Sequence, residues 1–427
     1  MTPDLQGLFA WRSKKNRKIA EKRLQSAEKF VLIRYRERPA WQGERSGCMR
    51  AWSRGLLGLL AAAMVTPLAS AAPAEGGATS PADIQGHWAQ EEIQRAMDAG
   101  WIDGYPDGTF QPEQTITRAE FTKLLLDAIH LTPDSETVAW MKGASQAQAP
   151  MEDMADHWLT EGGWMDAALV SGMVVTQDYN YHNFRPEKPI ARYEIALMTT
   201  RALGQVKEGN QLLDSLDYTD DNTILPWMKG YVNEAVKAGV LHGYPDGSFQ
   251  PHATSTRAEA VVMIQRMLDR MEEGVTDDVT VQVTCDNWGN ERTVTLDDPT
   301  VQVVDGTLYV SARDALEGWD AAAEPYQCTL SWDPITQRID GTFGGVTSFQ
   351  AGSRSCTYDM LPAVEDLSAS KMQLVAPARM LYGEVMIPVY SKDINPQEKI
   401  LFNWLGGWDE ETKTMTLPMK TPWSTAP

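Results

Sequence analysis

The strongest constraint on this chain is a stretch of seventeen residues that occurs twice. Residues 104–120 read GYPDGTFQPEQTITRAE and residues 243–259 read GYPDGSFQPHATSTRAE, with thirteen of the seventeen positions identical. A third, weaker copy lies between them and ends FRPEKPIARYEIALMTTRAL. Because a short unit of this kind cannot bury its apolar face alone, the copies are expected to pack against one another. The three units span residues 82–135, 150–205 and 215–270.

Each unit has the pattern of a helix, a loop and a second helix. In the first unit, Ala89, Ile93 and Ala96 recur at the spacing of one helix face. Gly100 follows on the same face and is suited to end that helix. The GYPDG segment is turn chemistry, since proline presets φ and glycine accepts a positive φ. The pattern predicts one α-helical domain made of three helix pairs.

The TRAE ending of the repeat has a structural explanation for two of its residues. Thr117 and Glu120 fit a capping box, in which the threonine caps the helix and the glutamate reaches back. The box does not explain Arg118, because a cation in the first helical turn opposes the helix dipole. In the middle copy the threonine is replaced by Ala191, whereas the arginine is kept as Arg192. The retained cation therefore indicates a binding function.

These units resemble S-layer homology repeats, whose pattern is an F-x-D start, a tryptophan, a G-x-x-DG-x-F-x-P loop and I-T-R-A-E. The resemblance covers about residues 82–270. It implies an all-α pseudo-threefold trimer of three repeats that binds a secondary cell-wall polysaccharide, often bearing pyruvylated N-acetylmannosamine. The glycan-binding residues that it implies are Asp83, Trp88, Gly108 and Arg118 in repeat one, Asp153, Trp158 and Arg192 in repeat two, and Asp220, Trp227, Gly247 and Arg257 in repeat three.

The residue types suit such a ligand, although each has a structural alternative. The planar fork of arginine binds a carboxylate through two parallel hydrogen bonds, and a pyruvate ketal presents a carboxylate. Tryptophan offers a flat apolar face to a sugar ring, but it could equally pack between helices. Aspartate can accept hydrogen bonds from a sugar, or it can cap a helix. Repeat two lacks the DG loop, and in repeat three Asp221 could take the role of Asp220.

The amino-terminal part has the pattern of a secretory signal peptide at residues 49–72. Two arginines precede a short apolar run, and Ala69-Ser70-Ala71 matches an A-x-A cleavage site. A retained signal anchor is the alternative, but the run is shorter than the roughly 20 residues that a membrane span needs. Residues 1–48 are interpreted as an upstream mis-start segment. We therefore expect a secreted protein with no stable membrane span after cleavage.

The region from residue 276 to 420 is different, because apolar and polar residues alternate as in half-buried strands. Residues 306–319 are echoed by residues 383–396, and a W-D-x-x-T turn occurs in each half. The region resembles the stalk domain, which is related to the N-terminal domain of copper amine oxidases. All six histidines precede residue 253, so this region has no imidazole for copper or for a Ser-His or Cys-His nucleophile.

The predicted fold class is multidomain, with an all-α pseudo-threefold trimer of helix-loop-helix repeats followed by a small β-rich α+β domain. A net charge of −20 argues against nucleic acid as a partner. At most one disulfide can form among Cys285, Cys328 and Cys356, and the pairing stays open. We predict no catalytic residue, no cofactor and no metal site.

The predicted function is non-covalent anchoring at the cell wall or cell surface. The partner would be an anionic secondary cell-wall polysaccharide or a peptidoglycan-linked glycan, and the C-terminal region would serve as a structural or interaction module. A wall-associated carbohydrate hydrolase that uses carboxylates of the C-terminal region is one alternative. A subunit of an S-layer lattice is the other. Activity on peptidoglycan, or self-assembly into sheets, would distinguish these alternatives from the anchor.

Overall fold

A computed structural model describes most of the chain from residue 80 onward. The predicted upstream segment 1–48 and the predicted signal peptide 49–72 lie outside the described residues. In the part of the chain that is described, no helix is both long and apolar enough to cross a bilayer. The described ranges are residues 80–146, 148–287, 290–323, 328–342, 345–360, 370–374, 376–391 and 407–420.

The described helices fall mainly before residue 272, and the strands follow them. The α-helices are α1 Gln90–Ala99, α2 Arg118–Ala128, α3 Glu136–Ala144, α4 Trp158–Glu161, α5 Trp164–Val170, α6 Arg192–Ala202, α7 Val206–Gly209, α8 Pro226–Lys237, α9 Arg257–Met271 and α10 Ala312–Ala322. The strands are β1 Val275–Thr276, β2 Thr280–Asn287, β3 Asn290–Thr295, β4 Val301–Val304, β5 Thr307–Ser311, β6 Thr329–Asp333, β7 Arg338–Thr342, β8 Gly345–Gln350, β9 Ser355–Met360, β10 Ser370–Gln373, β11 Arg379–Leu381, β12 Glu384–Ser391, β13 Gly407–Asp409 and β14 Thr414–Lys420.

The ends of the repeat helices follow the local signals in the sequence. Gly100 ends α1 at φ 78°, and its N–H donates to Ala96 and Met97, which confirms the predicted cap. Thr117 accepts a hydrogen bond from the backbone of Glu120, whose side chain accepts one from the backbone of Thr117. This capping box at the start of α2 is confirmed, and the same box begins α9.

The three repeats contact one another in cyclic order through the residue that begins each second helix. Each such arginine donates its backbone N–H to a carbonyl in the loop of another repeat. The three hydrogen bonds run from Arg118 to Lys188 (2.9 Å), from Arg192 to Ala253 (3.0 Å) and from Arg257 to Gln114 (2.8 Å). Because these segments are bonded to one another, the loops and helix starts of all three repeats meet on one side of the helical region.

The strands form three sheets, with the orders β1-β4-β5-β12-β11, β10-β9-β8-β7-β6 and β13-β14-β2-β3. All described pairings are antiparallel except that of β14 with β2. The repeated W-D-x-x-T sequence closes the β6–β7 and β13–β14 hairpins. In these turns Asp333 accepts from the backbone of Ile335, and Asp409 accepts from the backbone of Glu411 and Thr412. The two halves of this region therefore use the same turn chemistry.

The predicted fold class is wrong. The chain is mixed α/β, and the residues from Ala82 onward form one compact unit instead of an all-α trimer followed by a small domain. Tyr309 and Met386 from the sheets lie in the hydrophobic cluster of the repeat helices. In return, Met141 of α3 lies in the cluster of the sheets. The spacing of apolar residues predicted which face of each helix or strand is buried. It could not predict which distant element packs against that face.

Polar contacts also join the helices to the sheets at the ends of the repeats. Trp332 of β6 donates its indole N–H to the carbonyl of Val170 at 2.7 Å. Gln302 of β4 donates its amide to Met271 at 2.7 Å. At Gly172, a side-chain Cβ would come within 2.0 Å of the carbonyl oxygen of Pro334, so this approach of two backbones requires glycine. These contacts lie away from the loops and helix starts through which the repeats bond to one another.

Candidate functional site

The three predicted aspartates bind backbone of their own repeat. Asp83 accepts hydrogen bonds from the backbone N–H groups of Phe110 and Gln111, at 2.7–3.0 Å. Asp153 and Asp220 make the same pair of contacts in their own repeats, to Phe184 and Arg185 and to Phe249 and Gln250. Each carboxylate thus ties the start of a repeat to its loop. The aspartates therefore position the loop, and their role in binding a glycan stays a prediction.

Asp221, the alternative to Asp220, is also engaged. Its carboxylate pairs with Lys229 at 2.7 Å and accepts from the backbone of Leu216. The hydrogen bond from Lys229 lowers the pKa of Asp221. The family's aspartate role therefore lies with Asp220, which makes the loop contacts that Asp83 and Asp153 make.

The predicted glycines shape the turn of the loop. Gly108 and Gly247 have φ values of 83° and 80°, a left-handed conformation that favours glycine. Each donates its N–H to the tyrosine three residues earlier, Tyr105 or Tyr244, at 2.9 Å. The turn is needed to place the next phenylalanine, whose backbone binds both the aspartate and an arginine.

The predicted tryptophans are at the surface and not in the helix-packing core. Trp88, Trp158 and Trp227 are 61%, 41% and 39% exposed. In repeats one and two the indole lies tilted against the preceding histidine, with ring centroids 5.4 Å and 5.2 Å apart. A large apolar ring held at the surface is suited to stack on a ligand.

The three arginines insert into the loop of another repeat, which explains why each one is kept. Arg257 donates Nε–H to Phe110 at 3.1 Å and a terminal N–H to Asp103 at 2.7 Å. Arg192 makes the matching contacts with the carbonyls of Phe249 and His242. Arg118 donates to the carbonyl of Phe184. Each guanidinium also lies over the ring of its phenylalanine, within 4.7–5.5 Å of the centroid.

One predicted arginine and one predicted tryptophan meet in an open pocket, which we call groove 1. Groove 1 has a volume of about 420 Å³. It joins α2 of repeat one with Trp158 from repeat two and Arg257 from repeat three, so all three repeats contribute to it. Its lining residues are Gly100, Trp101, Ile102, Asp103, Glu120, Lys123, Leu124, Asp127, Trp158 and Arg257.

Groove 1 includes residues that sequence reasoning missed. Trp101 lies directly after the helix cap, and Lys123 and Asp127 form an i,i+4 ion pair on α2. The ammonium of Lys123 also lies 4.7 Å from the ring centroid of Trp164. A polar pair on an otherwise apolar helix was the signal for these residues. The sequence could not show that the pair faces Trp158, which is 31 residues further along the chain.

The charges of groove 1 are influenced by burial. Burial raises the pKa of Asp127, and Lys123 opposes this effect. Burial also lowers the pKa of Arg257, against the attraction of Tyr105, Glu120 and Asp103. An arginine remains charged at neutral pH in any case. Groove 1 therefore offers a partly desolvated cation, Arg257, in a lining that also holds Trp158, Lys123 and the carboxylates of Asp103, Glu120 and Asp127. Within the described ranges, no group of three or more His, Cys, Asp or Glu side chains is placed to hold a metal ion.

The comparisons with known proteins bear on the repeats that build groove 1. The family model of the S-layer homology domain matches residues 82–122 and 217–261, which include the first and third copies of the repeat. The chain therefore carries S-layer homology segments. The middle copy, with Arg192, is not part of that match.

Several curated proteins are similar to this chain. The cellulosome-anchoring protein of Acetivibrio thermocellus is 30% identical over 40% of this chain and 36% of its own length. The S-layer protein EA1 of Bacillus anthracis is 28% identical over 70% of this chain and 30% of its own length. The exoglucanase XynX of Acetivibrio thermocellus is 28% identical over 44% of this chain and 16% of its own length. The chain thus spans well under half of the length of these relatives.

The S-layer homology segments and the surface proteins among the relatives support anchoring at the cell surface. They place the chain at the cell surface or cell wall, as predicted.

Proposed function

We propose that this protein is held non-covalently at the cell wall by an anionic, carboxylate-bearing glycan that binds in groove 1. The observation that carries the proposal is the meeting of Arg257 and Trp158, from different repeats, in one open pocket. A secondary cell-wall polysaccharide with pyruvylated N-acetylmannosamine, or a peptidoglycan-linked glycan, is the partner class. The family resemblance of the repeats supports the same choice.

The chemistry of Arg257 supports a carboxylate ligand. Its described hydrogen bonds use Nε and one terminal nitrogen, whereas a guanidinium carries five N–H donors. The contacts with Phe110 and Asp103 hold the side chain in one orientation before the ligand arrives. Such pre-organisation favours binding, because little side-chain entropy remains to be lost. Trp158, which is 41% exposed, then provides an apolar face for the sugar ring.

We propose that the middle copy, residues 150–205, is a third S-layer homology repeat. Asp153 holds the loop through Phe184 and Arg185, as Asp83 does in repeat one. Arg192 docks into repeat three through Phe249. The middle copy therefore keeps the contacts of its neighbours although its turn sequence is different.

We propose that residues 276–420 form a structural display module of the stalk type and have no catalytic role. Asp314 and Glu384 lie on either side of Arg313, but both have structural partners. Glu384 pairs with Arg313, and Asp314 accepts a hydrogen bond from the backbone of Thr300. The ion pair of Glu384 with Arg313 supports the module, while burial and the charge of Glu384 raise the pKa of Asp314 to about 7. The predicted signal peptide at residues 49–72 is consistent with export of the module.

The proposal is tested by calorimetric binding of the full chain to purified wall polysaccharide, before and after chemical removal of pyruvate. We expect binding that is lost with the pyruvate and is weakened about 10- to 100-fold by Arg257→Ala, the value of a charge-assisted bidentate contact. Arg95→Ala is the matched control, because Arg95 pairs with Asp269 outside groove 1. Binding that is unchanged both by removal of the pyruvate and by Arg257→Ala would reject the proposed site.

A further inference from the structure

The groove between repeats two and three, which we call groove 2, has the same plan as groove 1. Its helix is α6 of repeat two, its arginine is Arg118 from repeat one, and its tryptophan is Trp227 from repeat three. A third groove, groove 3, is built on α9 of repeat three with Arg192 from repeat two. The three grooves therefore differ only in the side chains that occupy this shared plan.

In groove 2 the arginine already binds a carboxylate of the protein. Arg118 donates to the carboxylate of Glu194, and the two side chains are both only 4% exposed. The same oxygen of Glu194 accepts a hydrogen bond from the hydroxyl of Tyr193 at 3.0 Å. The ammonium of Lys188 lies 3.9 Å from it. The position where a ligand carboxylate would meet Arg118 is therefore taken by Glu194.

The tryptophan of groove 2 is also in contact with the protein. The ring of Tyr193 lies edge-on to the ring of Trp227, with centroids 6.0 Å apart. Tyr193 contacts the ring of His252 in the same way, at 5.6 Å. The pKa of Tyr193 is raised chiefly by burial and also by the negative charge of Glu194. A neutral phenol thus stands between the tryptophan and the ion pair.

Grooves 1 and 3 lack these features. The motif reads ARYE in repeat two and TRAE in repeats one and three. The residues that correspond to Tyr193 are therefore Ala119 in groove 1 and Ala258 in groove 3. The glutamates of grooves 1 and 3, Glu120 and Glu259, are half-buried and accept hydrogen bonds from their own helix starts. In the described contacts neither of them forms an ion pair with Arg257 or Arg192.

Groove 3 contains two arginines, Arg192 and Arg266, whose charges act on His242. The pKa of His242 is lowered first by burial and then by the positive charges of Arg266 and Arg192. Two cations near one loop favour an anionic ligand. Groove 3 differs from groove 2 in that Arg192 forms no ion pair among the described contacts, and Arg192 is only 7% exposed.

We propose that Glu194 and Tyr193 close groove 2 to carboxylated glycans, so that the chain binds no more than two of them, in grooves 1 and 3. Glu194 acts as a built-in substitute for the ligand carboxylate, and Tyr193 as a substitute for the sugar ring. This inference rests on the proposed function. Groove 2 then serves to join repeats one, two and three, while the other two grooves bind the wall.

The first test is the stoichiometry of binding, measured by calorimetry on the full chain. The probe is the methyl glycoside of N-acetylmannosamine with a 4,6-pyruvate ketal. We expect no more than two sites per chain, and one fewer after Arg257→Gln. Three sites in the unchanged chain would overturn the inference but would leave the proposed function intact. A complete lack of binding would reject the proposed function itself, so the two failures are distinguishable.

The second test opens groove 2. The double variant Tyr193→Ala with Glu194→Gln restores the small residue of the other repeats and removes the competing charge. The glutamine keeps an acceptor for the backbone N–H of Ala191, which Glu194 binds at 2.9 Å. We expect one additional site for the probe. An unchanged number of sites in a variant with the normal circular dichroism spectrum would overturn the assignment.

Tyr193→Phe provides a milder variant in case the double variant does not fold. It removes only the hydroxyl that holds Glu194, and it keeps the ring against Trp227. We expect the number of sites to stay at or below two, because the ion pair of Arg118 with Glu194 remains. A third site in Tyr193→Phe would show that the ion pair does not close groove 2, and would overturn the inference.

Discussion

Groove 1 and groove 2 are built from the same motif and use its arginine in opposite ways. In both, the arginine comes from another repeat and donates to the carbonyl of the loop phenylalanine. In groove 1, Arg257 is half-buried and lines an open pocket. In groove 2, Arg118 is 4% exposed and paired with Glu194. The comparison shows that a repeated motif specifies where a side chain docks, while its neighbours determine whether a ligand can reach it.

The largest expected effect is a loss of protein stability when the ion pair of groove 2 is removed. Arg118→Ala should lower the free energy of unfolding by about 3–5 kcal/mol, because it leaves the buried carboxylate of Glu194 without its principal counter-charge. Arg257→Ala should cost clearly less, since Arg257 is half-buried and has no such ion pair. Urea unfolding followed by circular dichroism measures both. Equal losses in the two variants would contradict the proposed difference between the grooves.

Substitution of the aspartate should destabilise the protein to a similar extent in every repeat. The difference between the grooves should therefore come from the other groove residues. Asp83→Ala and Asp153→Ala should each lower the free energy of unfolding by about 1 kcal/mol, because each leaves a part-buried backbone N–H group of Phe110 or Phe184 without its acceptor. The same urea titration measures this effect. A loss of glycan affinity with no loss of stability would instead assign the aspartates to the ligand.

Substitution of the tryptophan should lower the glycan affinity in groove 1 but not in groove 2. Trp158→Ala should weaken binding of the pyruvylated glycan roughly tenfold, the value of one lost stacking contact of about 1–1.5 kcal/mol. Trp227→Ala is the matched control, since the two indoles have similar exposures of 41% and 39%. We expect it to leave the affinity unchanged, because groove 2 is closed. Calorimetry on both variants checks this, and equal losses would count against closure.

The smallest expected effect is a dependence of groove 1 on pH. The pKa of Asp127 is raised, mainly by burial, so this carboxyl takes up a proton at a higher pH than an ordinary aspartate. An anionic ligand nearby favours the protonated form still further. Affinity for the carboxylated glycan should therefore rise a few-fold as the pH falls from neutral through this raised pKa.

The control for this pH dependence is Asp127→Asn, which should bind with the higher affinity at every pH in that range. Groove 2 has Arg201 at the corresponding position, where it pairs with Asp178. An affinity that falls on acidification would contradict the role assigned to Asp127.

Local features of the fold were predictable because they depend on residues that are close in sequence. The cap at Gly100 and the capping box of Thr117 and Glu120 need only a few consecutive residues. The fold class was wrong because the contact of Met141 with the sheets joins segments far apart in the chain. The spacing of apolar residues along the sequence does not predict which distant segments will contact each other.

The candidate site was predictable in part for the same reason. Arg257 and Trp158 could be singled out from the motif, but their meeting in groove 1 spans 99 residues of sequence, 158 to 257. Trp101 and Lys123 were missed because each is ordinary in its own helix or loop. The aspartates were assigned to the right positions, but their role in holding the loops became visible only with the backbone of Phe110 and Gln111 in place.

The sequence by itself determined the repeat, the ends of its helices, the turn of its loop and the residue types from which the glycan site is proposed. These follow from local backbone preferences and from the chemistry of each side chain. Only the tertiary structure decided which arginine is open and which is neutralised. Arg118 meets Glu194 across 76 residues, and whether two such groups form an ion pair depends on packing that brings them together away from water.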